Sequence, residues 1–280
     1  MPTIPSITLP SGDEMPQLGL GTVGLTEETA NDSITTALNA GIRHIDAAEA
    51  YQNESIIGDA LASWDRDELF LTSKVLPKHL HYGSLLDACE ATLQRLGTDY
   101  LDLYLIHWPN PAISLRESLD AMKRLHDEGI VRNVGVSNFS QYQLSCALHI
   151  TDVPIAVNQF EVHPWHQLPD RVEYCQQEGV AVEAAAPLGR TEIFEDPLLQ
   201  ELAEKYGKTV AQISLKWAIE NDITVIPKSV TPAHIRENAA LFDWEIDDDD
   251  LAAIDEIDRQ YPVYSPSAKD WGREIYGIPQ

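Results

Sequence analysis

A chain of 280 residues with 44% hydrophobic content can hold two ordinary domains or one α/β barrel, and it supports a sizeable core. Its 45 acidic against 19 basic residues give a formal charge of −26, which argues against nucleic acid or an anionic membrane as partner, since both require basic patches. No apolar stretch approaches the roughly 20 residues that span a bilayer, and residues 1–11 lack the basic start and apolar run of a signal peptide, so the expected location is the cytoplasm.

In chain order, residues 6–16 read first as a β-hairpin. Strand signals follow at 18–22, 42–46, 69–74, 101–107, 131–137, 156–159, 181–185 and 224–227. Helical spacing of apolar residues fills the intervals, over 27–40, 53–63, 84–96, 115–127, 141–149, 170–177 and 198–220, the last with a break at Gly207. One more helical pattern runs over 232–240. Gly41, Gly97, Gly129 and Gly179 each follow a helical stretch and precede a strand, where glycine can end a helix. Regular alternation of strand and helix implies a parallel sheet. Eight units in about 250 residues imply a closed barrel. The expected fold is therefore α/β, a (β/α)8 TIM barrel with an N-terminal β-hairpin and a C-terminal tail. No linker or composition break divides residues 1–280, so one domain is expected.

Two features invite other readings. Gly19-Leu20-Gly21-Thr22-Val23-Gly24 matches the spacing GxGxxG, and Asp46 follows at the distance of the dinucleotide fingerprint. That fingerprint needs a buried strand before its first glycine. Residues 12–17 are instead polar and hold Pro16, so the glycines are assigned to the first barrel strand. The run Asp247 to Asp250 reads as a helix start, continued by Leu251, Ile254 and Ile257. The whole-chain acidic excess is a different matter. Salt screens such charge, so a high-salt, halophilic source is expected. Cys89, Cys146 and Cys175 are odd in number and scattered, and are expected as reduced thiols. The histidine pairs His79/His81 and His163/His166 lack a metal motif, so no metal site is expected.

Asp46, Tyr51, Lys74 and His107 lie at or just past the ends of expected strands. In a (β/α)8 barrel those ends converge on the face that holds the active site. An acid, a phenol, an amine and an imidazole together suit proton donation to a carbonyl. An unperturbed phenol has a pKa of about 10, and a lysine ammonium beside it favours the phenolate. Lys74 can act so on Tyr51, with Asp46 holding Lys74 by a charge-assisted hydrogen bond. His107 can donate to the carbonyl oxygen and orient it. No side chain here can deliver a hydride, so a cofactor is required.

The stretch His44-Ile45-Asp46-Ala47-Ala48-Glu49-Ala50-Tyr51-Gln52-Asn53-Glu54 resembles the aldo-keto reductase signature D-x-A-x-x-Y-x-N-E. Thr72-Ser73-Lys74 and Asp102-Leu103-Tyr104-Leu105-Ile106-His107-Trp108-Pro109 resemble that family's lysine and histidine strands. Val134 to Phe139, Val157 to Gln159, Ala184 to Gly189 and Ile226 to Ser229 match further family segments, all in family order. The resemblance is to the microbial, diketogluconate-reductase-like branch. It implies NADPH-dependent reduction of aldehydes, ketones and keto-sugars, with a small-molecule carbonyl substrate and a monomeric protein. By the same resemblance, Ser137, Asn138 and Gln159 hold the nicotinamide carboxamide. Lys228, Ser229, Val230 and Thr231 meet phosphate after the last strand, and Asn238 meets the adenine. Thr22, Pro187 and Leu188 complete the expected cofactor contacts. Val23, Leu76 and Trp108, with Trp271, are expected around the substrate.

Three departures from the family pattern stand out. Ala185 replaces an aromatic that stacks on the nicotinamide, and Ala186 replaces its serine neighbour. His234 replaces the arginine expected at the adenosine 2′-phosphate, with Arg236 close by. Arginine can make two parallel bonds to that phosphate, and histidine cannot. NADPH is therefore expected to be preferred by a smaller margin, with NADH accepted. Val23 and Leu76 replace aromatics common in the substrate pocket. Competing readings are a nicotinamide-binding regulatory subunit with weak reductase activity, and a different barrel enzyme such as a sugar isomerase. The first lacks a docking extension here, and the second lacks its metal carboxylates.

Overall fold

The structure, a computed structural model, describes residues 3–263. The chain opens with an antiparallel hairpin of β1 (Ser6–Thr8) and β2 (Glu14–Pro16), in which Ile7 faces Met15. Eight further strands follow: β3 (Gly19–Gly21), β4 (His44–Asp46), β5 (Phe70–Val75), β6 (Leu101–Ile106), β7 (Val131–Ser137), β8 (Ile155–Glu161), β9 (Ala181–Ala185) and β10 (Ile223–Val225). They pair side by side in sequence order, every pair parallel. The first and last meet through a parallel bridge between Leu18 and Val225, where the Val225 N–H donates to the Gln17 carbonyl at 3.0 Å. The sheet thus closes into the expected barrel.

Helices α1 (Ala30–Asn39), α2 (Glu54–Leu61), α3 (Tyr82–Leu96), α4 (Leu115–Asp127), α5 (Gln141–Ile150) and α6 (Pro169–Gln177) form the crossovers through β9. The next crossover holds two helices, α7 (Pro197–Tyr206) and α8 (Val210–Glu220), divided at Gly207 with φ 62°. The chain then runs through α9 (Pro232–Ala239) and α10 (Asp248–Asp255). The aspartate run starts α10 as read from sequence, and Asp250 accepts from Lys205 at 2.5 Å and from the Tyr206 hydroxyl. No helix among the described residues is long and apolar enough to cross a membrane.

Strands β3, β4, β6 and β10 are shorter than their sequence signals, and for β10 the reason is a proline. Pro227 has no N–H, so β10 stops before it, although its carbonyl still accepts from the Gly21 N–H at 3.2 Å. A Cβ on Gly21 would lie 2.7 Å from the Ile226 carbonyl oxygen, and one on Gly19 would lie 2.9 Å from the His44 ring. These glycines therefore serve the seam and the crowded barrel interior, as their assignment to the first barrel strand requires.

The hairpin plugs one end of the barrel. Leu9 and Met15 pack with Phe70, Leu103, Leu105, Ala156 and Val157. Residues such as Leu101 to Ile106 are buried throughout, because a parallel barrel covers both faces of each strand. The remaining apolar side chains join a continuous core between strands and helices. The opposite, C-terminal end of the strands is left for polar residues.

Candidate active site

Period-two alternation turns His44 and Asp46 of β4 and Thr72 and Lys74 of β5 into the barrel. The register places Asp46 beside Thr72, one step from Lys74. Lys74 is fully buried, and its Nζ donates to Asp46 Oδ1 at 2.6 Å and to the Ala47 carbonyl at 3.0 Å. Its third contact is the Tyr51 hydroxyl at 3.2 Å. Asp46 Oδ2 accepts from Gln159 Nε2 at 2.9 Å. Burial opposes the Lys74 charge, but Asp46 and Tyr51 outweigh it and hold the ammonium well above its ordinary range.

Tyr51 reaches Lys74 from outside the strands. After β4 the chain enters a short 3-10 turn, Glu49–Tyr51, and Gln52 takes a left-handed conformation with φ 54°. Both flanks of that turn are anchored. Asn53 Nδ2 donates to the Thr22 carbonyl at 2.7 Å, tying the turn to the exit of β3. Glu54 is buried, accepts from Ser73 Oγ at 2.6 Å, and pairs with Arg95 at 2.6 Å, tying α2 to β5 and α3. Glu49 Oε2 accepts from the Leu76 N–H at 2.9 Å. The acid and amide of the sequence signature therefore fix where the phenol sits.

His107 follows β6 immediately. Its ring lies 5.8 Å from that of Tyr51 at 83°. Burial, reinforced by the Lys74 charge, holds its pKa well below the usual imidazole range, so the ring is neutral and has one N–H to donate. Asn138, at φ 61°, donates through Nδ2 to the His107 carbonyl and to Ser137 Oγ, each at 3.0 Å. Its own N–H donates to the Gln159 carbonyl at 2.7 Å.

A cavity of about 460 Å3 opens over this cluster. Asp46, Tyr51, Gln159, Val23, Pro187, Leu188 and Lys228 line it, as do Ala185 and Ala186. An adjoining pocket of about 40 Å3 is lined by Tyr51, His107, Trp108, Ser137, Asn138 and Val23. The structure thus brings together the four residues named first and six of the thirteen expected cofactor contacts, Ser137, Asn138, Gln159, Pro187, Leu188 and Lys228. Others lie apart. Thr22 is fully buried, with its hydroxyl donated to the Asp46 carbonyl at 2.8 Å. Leu76 lines neither cavity. Ser229 Oγ accepts from the Thr231 N–H at 3.1 Å in the turn before α9, where Val230 and Thr231 are exposed. Asn238 is buried on α9, while His234 and Arg236 are exposed. Two residues of a helix are turned about 200° apart, so His234 and Arg236 cannot face the same group. Trp271 and the C-terminal tail lie outside the described residues.

The sequence reading missed Gly21, Arg190, Thr191, Ile226 and Pro227, which also line the larger cavity. Arg190 and Thr191 sit in a turn of unusual backbone: Ala186, Gly189, Arg190 and Thr191 have φ of 46°, 51°, 50° and 73°. Such conformations cost of order 1–3 kcal/mol each at non-glycine residues and cluster at functional sites. Their position directly after the Ala184 to Gly189 segment was the available signal.

Residues 17–259 match the model of the aldo/keto reductase family. The chain is 42% identical over 265 residues to the putative methylglyoxal reductase DkgA of Salmonella typhi, covering 92% of this chain and 94% of that one. It is 35% identical over 310 residues to the NADP-dependent D-sorbitol-6-phosphate dehydrogenase of Malus domestica, covering 97% and 99%. The crystal structure of a Bombyx mori aldo-keto reductase in complex with NADP superposes with a TM-score of 0.90 at 32% identity, over 99% of both chains. Signature, barrel and site geometry agree with these matches, and the chain belongs to the aldo/keto reductase family of NADP-dependent oxidoreductases.

Proposed function

We propose that this chain reduces aldehydes and ketones to alcohols with NADPH, and that Tyr51 delivers the proton. The observation that carries this reading is the Tyr51 hydroxyl 3.2 Å from a fully buried ammonium that is itself held at 2.6 Å by Asp46. A phenol so placed gives up its proton more readily, because the adjacent charge stabilises the phenolate.

The residues present fit a nicotinamide cofactor. The cavity has the size of small-molecule sites, and Arg190 and Lys228 on its wall supply positive charge for phosphates. Gln159 and Asn138 commit amide N–H groups to Asp46, His107 and Ser137, which leaves their amide oxygens to accept from a carboxamide. When bound, the cofactor supplies the hydride that the side chains cannot. The carbonyl oxygen, gaining negative charge as its carbon is reduced, takes the Tyr51 proton. Lys74 holds the resulting phenolate until solvent reprotonates it. Neutral His107 donates its N–H to the same oxygen and fixes the carbonyl's orientation. The narrow pocket beside Trp108 favours small carbonyls, and the similarity to a putative methylglyoxal reductase supports that class.

The test is NADPH oxidation with a panel of aldehydes, keto-sugars and diketones, in wild type and in Tyr51→Phe. General acid catalysis is worth ~10²–10⁴-fold. Tyr51→Phe should therefore lose most of kcat and keep its NADPH affinity. A variant retaining more than roughly a tenth of wild-type turnover would remove Tyr51 from the role.

A further inference from the structure

One layer below Asp46 and Lys74, the barrel holds titratable side chains that take no part in this proton transfer. Alternation turns His44 inward two residues before Asp46, and Glu183 inward two residues before Ala185. Both are fully buried. Glu183 stands in register with Gln159 of β8 and Thr224 of β10. His44 Nε2 lies 3.0 Å from Thr72 Oγ1 and 3.8 Å from Glu183 Oε1. Neither carboxyl oxygen of Glu183 meets a hydrogen-bond partner, and neither does Thr224 Oγ1.

An ionised carboxylate is costly in such a place. The structure lowers that cost by keeping the proton: burial, with Asp46 adding its repulsion, pushes the Glu183 carboxyl up to about 8, partly offset by the Lys74 charge. His44 is also neutral, since burial lowers its ring to about 4. The groups facing Glu183 are thus neutral His44 and anionic Asp46 from β4, cationic Lys74 from β5, and the uncharged Gln159 and Thr224. At neutral pH Asp46 is then the one carboxylate among the described residues that pairs with Lys74.

We infer that Glu183 is a positioning residue for the proposed reaction: through the charge it carries or lacks beneath Lys74, it sets how strongly the ammonium draws on the Tyr51 hydroxyl. The inference rests on the carbonyl-reductase reading above. With Glu183 protonated, the ammonium acts on the phenol against one carboxylate. Once Glu183 releases its proton to solvent at higher pH, two carboxylates face one ammonium, and Tyr51 holds its own proton more tightly. Reduction needs protonated Tyr51, so the change extends reduction to higher pH. Alcohol oxidation needs the phenolate, so its acid limb moves up with it.

The experiment compares pH profiles of kcat/KM for carbonyl reduction, from pH 6 to 10 at fixed high salt, in wild type and Glu183→Gln. The amide keeps the shape and never ionises. Its alkaline limb should fall below that of wild type by about one pH unit, the scale of a unit charge acting through the barrel interior. The acid limb of alcohol oxidation should move down with it, while NADPH affinity by fluorescence titration stays unchanged. A limb that does not move, in a folded variant with wild-type NADPH affinity, overturns the inference and leaves the reductase reading intact. If Glu183→Gln fails to fold, Glu183→Asp reads the same limb. Its carboxyl should leave the limb at or above the wild-type position, and a lower limb overturns the inference. Absence of Tyr51-dependent reduction in wild type overturns both readings together.

Discussion

Asp46→Asn tests how the barrel handles the charge of Lys74. The substitution keeps the volume and removes the carboxylate 2.6 Å from a fully buried ammonium. Stranding a buried charge in this way costs about 3–5 kcal/mol. Here a second carboxyl lies beneath the pair. Burial and the repulsion of Asp46 raise the Glu183 carboxyl only to just above neutrality, so ionising it there is cheap beside stranding the ammonium. The cost falls further once the repulsion of Asp46 is gone. Glu183 should therefore ionise and replace the lost counter-ion, so that Asp46→Asn alone costs about 1–2 kcal/mol. In the double variant Asp46→Asn/Glu183→Gln no carboxylate is left for Lys74, and the loss should return to about 3–5 kcal/mol. The assay is urea unfolding of wild type, both single variants and the double, at pH 7 and constant high salt, with unchanged m-values as the check on comparability. A coupling energy of roughly 2 kcal/mol is expected. Losses that add to within about 0.5 kcal/mol would refute the reasoning, because independent sites behave that way.

The bare wall at Ala185 should reward an aromatic: Ala185→Tyr is expected to tighten NADPH binding by about 0.5–1.5 kcal/mol, read by fluorescence titration, and weaker binding would show that another side chain fills that space. His234→Arg should raise the kcat/KM preference for NADPH over NADH, since a guanidinium holds a phosphate by two bonds; an unchanged ratio would transfer the contact to Arg236. The formal charge of −26 should make the fold salt-dependent. Dialysis into low salt is expected to lower Tm and activity together, and an unchanged Tm would remove the halophilic reading.

The sequence by itself determined the repeating strand–helix order, because hydrophobic period and helix-ending glycines are local properties. It also placed Asp46, Lys74 and His107 at strand ends, where a barrel puts its chemistry, and the signature around Tyr51 named the phenol. Tertiary structure decided what local pattern does not carry. The barrel closes where the first and last strands meet at Leu18 and Val225, a contact between residues some 200 positions apart. The Tyr51–Lys74 distance is set by Asn53 and Glu54 reaching Thr22 and Ser73 on other strands. Alternation could mark Glu183 as a charged residue in an apolar strand. Only closure of the barrel brings it to His44, 139 positions away in sequence, and beneath Lys74. The turn from Ala186 to Thr191 likewise takes its left-handed backbone from surrounding packing, since its residue types favour no such conformation except at Gly189. Period fixes which side chains share a strand face. Closure and register fix which faces meet, and the chemistry of this site lies where they meet.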